Sequence, residues 1–156
     1  MARFEDSIVV DAPVRTVYDQ WTQFKEFPLF MEGVDRVRHL DDKTLEWTAT
    51  VAGLKKQWTA EITDQTPDVR IAWRSIGGDQ NAGAVLFEPL GEGRTRVTLK
   101  LEADPAGPVE TLGANLGFLE RQVKGDLNRF KEFIESRGVP TGAWRGEIHG
   151  NEVREA

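Results

Sequence analysis

The chain contains no cysteine, which removes disulfides, thiolate zinc sites and a cysteine nucleophile. It has two histidines, His39 and His149, distant in sequence and each expected to be solvent-exposed, so they make a poor metal-ligand set. No stretch approaches the ~20 consecutive apolar residues of a membrane span. Met1 to Val10 carries Arg3, Glu5 and Asp6 and lacks the unbroken apolar core of a signal peptide. Positive charge is short as well: 20 Lys and Arg stand against 26 Asp and Glu, a net charge of -6, and the basic residues are dispersed. Neither a phosphate-tracking stripe for nucleic acid nor a polybasic membrane anchor is expected. No Gly-x-Ser-x-Gly elbow and no phosphate loop with its lysine occurs, and Ser7, Ser75 and Ser136 have no histidine partner arguable from sequence. These absences point to a soluble cytoplasmic domain of 156 residues without a metal or other cofactor, long enough for one substantial core.

What is present is organised around a long C-terminal helix, about Pro108 to Arg137. Val109, Leu112, Leu116, Leu119, Val123, Leu127, Phe130 and Ile134 recur three or four apart and draw one continuous apolar stripe. Such a stripe needs a partner surface, and the preceding chain supplies strands. Arg3 to Val10 reads as a first strand. Asp11-Ala12-Pro13 reads as a helix start with Asp11 as cap, followed by Val14, Val17, Tyr18 and Trp21 at helical spacing. Gln23 to Met31 is a dense apolar piece broken by Pro28, expected as a second short helix.

From Val34 the period becomes two. In the second strand Val34 and Val37 differ in parity, which predicts a bulge or a late start. Leu45, Trp47, Ala49 and Val51 then alternate with polar residues, as do Trp58, Ala60 and Ile62. Val69, Ile71, Trp73 and Ser75 share a face opposite Arg70 and Arg74, and strands through Val85 and Phe87 and through Val97 and Leu99 follow after glycine turns. The fold class is therefore α+β: a curved seven-stranded antiparallel sheet wrapped around the C-terminal helix, with two short helices between strands 1 and 2. Residues 1–137 form the domain and 138–156 a Gly-rich, charged tail containing Trp144.

A strongly curved sheet leaves room between its concave face and a crossing helix. Inward residues alternate large with small, Trp47 with Ala49, Trp58 with Ala60 and Phe87 with Gly83, and Gly113 and Gly117 lie beside Leu112 and Leu116 in the helix. A helix-interior glycine costs about 1 kcal/mol against alanine, so two glycines four residues apart fit a surface kept open; close helix–sheet approach is the competing explanation.

Ile8 to Val17, read as strand, Asp11-Ala12-Pro13 and helix, followed by Phe27-Pro28 and Trp47, resembles the polyketide cyclase/dehydrase and lipid-transport family. That family sits in the superfamily of START domains and Bet v 1 allergens, with its helix-grip fold. The likeness runs from about Arg3 to Arg137. It implies a deep hydrophobic pocket between sheet and helix, and it spans aromatase/cyclases, lipid and quinone carriers, hormone receptors and proteins without known activity. The resulting expectation is binding of a small hydrophobic ligand, a polyketide, lipid or quinone-like molecule, with an aromatase/cyclase or dehydratase and a protein-interaction module as alternatives. The expected lining is Trp47, Trp58, Trp73, Ser75, Asn81, Val85, Phe87, Leu112, Gly113, Leu116, Gly117, Phe30 and Tyr18, with the three tryptophans forming one aromatic wall. Phe24, Phe27, Leu29 and Phe30 are expected either as a lid or as a satellite core. Trp144 is expected to dock on the domain or to meet a partner. No catalytic residue can be assigned.

Overall fold

The computed structural model of the chain describes residues 2–51, 53–78, 81–103, 109–150 and 152–154, with the side chains of 2, 51, 78, 103 and 109–119 left out of account. Its elements run β1 (Ala2–Val10), α1 (Val14–Trp21), a 3-10 helix (Phe24–Leu29), β2 (Val34–His39), β3 (Thr44–Val51), β4 (Leu54–Thr66), β5 (Arg70–Gly78), β6 (Asn81–Pro89), β7 (Thr95–Ala103), α2 (Val109–Arg137), β8 (Glu147–His149) and β9 (Glu152–Arg154). The main path of the sheet is β1-β7-β6-β5-β4-β3-β2. Alternation drives the meander: Leu45, Trp47 and Ala49 of β3 are buried, and so are Val97 and Leu99 of β7, while their neighbours reach water. The parity mismatch in β2 is a register shift between Val34 and Arg36.

Helix α2 supplies the partner for the concave face through Val123, Leu127, Phe130 and Ile134, all buried in one core. It stops at Gly138, whose φ of 75° suits glycine and whose N–H reaches the Ile134 carbonyl at 2.8 Å. Trp21 packs on Phe27, Phe30 and Phe130, so α1, the 3-10 helix and α2 share one aromatic junction. Phe24, Phe27 and Phe30 thus belong to the core rather than to a lid, and only Leu29 of that group is exposed.

Two expectations need correction. Asp11 does not cap α1: the cap position is Pro13, without a side-chain bond. Asp11 instead pairs with Arg94 at 3.2 Å, and its N–H donates to Glu135 of α2 at 2.7 Å, tying the end of β1 to the long helix. The second concerns the segment expected as a tail, whose described residues, 138–150 and 152–154, return to the sheet. β3 pairs with β4 only as far as Thr44 opposite Glu61, which leaves Asp64 and Gln65 of the longer β4 to pair with His149 and Ile148 of β8. Ile148 is fully buried and Trp144 packs against the core. The C-terminal segment docks as an extra hairpin on the sheet.

Candidate functional site

The most distinctive feature of the expected lining is an indole pair. Trp47 and Trp58 stand directly opposite each other on β3 and β4, and their rings stack at 5.8 Å with an interplanar angle of 7°. Phe27 abuts Trp47 at 5.7 Å. Indole N–H is a donor only. Both Nε1 atoms are buried, with no hydrogen-bond partner among the described residues.

Trp73 does not continue that row. It lies opposite Gly83 of β6, where a Cβ would come within 2.5 Å of its ring, and it makes no ring contact with Trp47 or Trp58 among the described residues. The expected wall is therefore a stacked pair plus a separate indole laid across β6. Ser75 and Asn81 come together: the Asn81 N–H donates to Ser75 Oγ at 3.0 Å between β5 and β6. Val85 and Phe87 are buried in β6, and Phe87 meets Tyr18 edge-on at 5.3 Å. Phe30 is a core residue wedged against Phe130 and Phe133. Leu112, Gly113, Leu116 and Gly117 lie outside the residues whose side chains are described.

Tyr18 is fully buried. Burial pushes its pKa up to about 12, against a hydrogen bond with the Gln65 side chain and the charge of the Arg145 guanidinium, which sits 5.4 Å over the ring. A phenol held neutral donates a hydrogen bond and does not abstract protons. Sequence reasoning missed the group beside it. Arg145, from the C-terminal segment, bridges Asp19 of α1 at 2.6 Å and Asp68 of the β4–β5 turn at 2.7 Å. Nothing in the spacing of these three residues announces the bridge, because they are brought together only by the returning chain. Arg70 and Arg74 point to solvent as their parity predicts. His39 and His149 are exposed, and no cluster of metal-binding side chains occurs among the described residues.

A curved antiparallel sheet gripping a C-terminal helix, with aromatic residues on its inner face, defines the helix-grip class. The chain belongs to the polyketide cyclase/dehydrase and lipid transport family, whose model matches residues 10–132. An uncharacterised 17.2 kDa protein of Streptomyces lincolnensis is 48% identical over 149 residues, covering 95% of this chain and 99% of that protein. Among solved structures, a Deinococcus radiodurans protein is 29% identical with a TM-score of 0.69, covering 88% of this chain and 100% of its own. The Zhui aromatase/cyclase from Streptomyces sp. R1128 is 20% identical with a TM-score of 0.75, covering 87% and 94%, and shares the fold. Among the described residues no helix is long and apolar enough to cross a membrane.

Proposed function

We propose that the protein binds a flat hydrophobic molecule bearing carbonyl oxygens, quinone-like or aromatic-polyketide-like, against the inner face of the sheet beside α2. The observation that supports this reading is the stacked Trp47–Trp58 pair with both N–H groups unpartnered. An unpaired buried donor costs roughly 1–3 kcal/mol, which a ligand oxygen would recover and an alkyl chain would not. Stacked indoles favour a planar ring system in the same way. Tyr18, held neutral by burial, adds a hydroxyl rather than a base. Donors without a proton acceptor among them fit holding and orienting a carbonyl compound better than enolising one. Leu112, Gly113, Leu116 and Gly117 of α2 are proposed as the opposite wall.

The test has two parts. Protein purified from its native host is extracted with organic solvent and the extract examined by mass spectrometry, with a stoichiometric carbonyl-bearing aromatic expected. Separately, 1,4-naphthoquinone is titrated while tryptophan fluorescence is followed. Trp47→Phe and Trp58→Phe keep an aromatic ring and delete the donor, so each should weaken binding by about tenfold. Unchanged affinity in both variants, or a stoichiometric saturated lipid in the extract, would refute the proposal.

A further inference from the structure

The β3–β4 hairpin and α2 leave a cleft of about 580 Å³ between them. Among the described residues, α2 lines it through Arg121 and Gln122, the hairpin through Thr50 and Gly53, and the link between the 3-10 helix and β2 through Gly33. Helix and link come flush because Gly33 has no side chain: a Cβ there would lie 1.6 Å from Gln122 Nε2. The link is tied to the hairpin in turn, the Gly33 carbonyl accepting from the Thr50 N–H at 2.8 Å. The walls are therefore fixed to one another.

The charges in this cleft do not balance. Its charged lining among the described residues is Arg121, Arg129 and Glu32. Arg129 is committed, to Glu32 at 3.2 Å, to Asp126 and to the Phe30 carbonyl. The Thr50 hydroxyl is committed as well, donating to Asp35 at 2.8 Å. Arg121 forms no ion pair among the described residues. Its neighbours three and four positions away on the helix are Gly117, Phe118, Lys124 and Gly125, none of them acidic. Arg129 and Lys131 differ, finding Asp126 and Glu135 at that spacing. One guanidinium is thus left over in the cleft, within a chain whose net charge is -6.

The cleft and the tryptophan pair lie along one strand. Trp47 and Thr50 both belong to β3, and their separation in the chain corresponds to about 10 Å at the rise of a strand. Ala49, between them, is buried on the inner face.

We propose that the ligand of the inner face carries a carboxylate, which the Arg121 guanidinium holds in this cleft while the ring lies at Trp47 and Trp58. This rests on the reading of the tryptophan pair given above and narrows its ligand to an aromatic or quinone-like acid, with the charge about 10 Å from the ring. A planar guanidinium donates two parallel N–H bonds to a carboxylate, a geometry that an ammonium lacks. The same contact fixes the ligand's direction, ring inward and acid at the hairpin.

The probe is 2-(6-carboxyhexyl)-1,4-naphthoquinone, titrated into the full-length protein at low salt while tryptophan fluorescence is followed. Its methyl ester has the same ring and chain without the charge. The acid should bind about fivefold more tightly than the ester, an advantage that shrinks at high salt because an exposed pair is screened. Arg121→Gln should erase the advantage and leave the ester's affinity unchanged. Lys124→Gln removes a cation one turn along α2 that does not line the cleft, and should leave most of the advantage in place. Equal binding of acid and ester, an advantage that survives Arg121→Gln, or a loss in Lys124→Gln as large as that in Arg121→Gln overturns the proposal. Failure of the ester and of 1,4-naphthoquinone alike to bind removes the tryptophan-pair reading and this proposal with it. Binding of the ester without preference for the acid removes this proposal alone.

Discussion

Gly83 shows how closely single residues are fitted on the inner face. A methyl group there would sit 2.5 and 2.8 Å from two atoms of the Trp73 ring and 2.9 Å from Leu101. The indole can lie across β6 only because that position has no side chain. Gly83→Ala should therefore cost about 1–3 kcal/mol by forcing the ring aside, read as a lower urea midpoint at unchanged slope. Asp126 on α2 carries the opposite kind of tension. Its carboxylate accepts from the Glu32 N–H at 3.1 Å and pairs with Arg129, yet burial outweighs both and raises its pKa. The native state therefore holds this proton to higher pH than the unfolded chain does. Its contribution to stability is fully present below the ordinary aspartate value and is lost as pH rises through the raised one. The stability difference between native protein and Asp126→Asn should fall across that acid window and level off toward neutrality. Urea unfolding of both proteins from pH 3 to 7 checks it; a difference that rises with pH would contradict the burial argument.

The elements divide into those whose pattern declares them and one that hides. Strand alternation, the β2 parity break and the 3.6-residue stripe were all readable because each is local. The β8–β9 hairpin was not. Glu147-Ile148-His149 and Glu152-Val153-Arg154 are too short to show a period, and their charge and glycine surroundings resemble a solvated tail. What folds them is the free edge of β4 beyond β3, together with a fully buried Ile148 and the Arg145 bridge. Ile148→Ala should accordingly cost about 2–4 kcal/mol, a core-sized loss that a trailing segment could not produce. Thermal or urea unfolding measures it, and a cost below about 0.5 kcal/mol, usual for surface positions, would mean the hairpin contributes little.

At the scale of the whole molecule, the sequence by itself determined the class of fold and the composition of its inner face. Binary patterning decides which residues face inward, so Trp47, Trp58, Val85 and Phe87 could be assigned to that face from parity alone. Net charge and the missing cysteines narrowed the chemistry for a similar reason, being properties of composition rather than of arrangement. Only the tertiary structure decided which inward residues meet. It stacked two tryptophans and sent the third across Gly83, moved Asp11 from helix cap to a link with Glu135, and brought Arg145 between Asp19 and Asp68 across separations of 126 and 77 residues. The physical reason is one of range. Periodicity reports the environment of each residue along its own element, whereas register, curvature and the path of the returning chain are settled by packing between elements, where the partners carry no shared signal in the sequence.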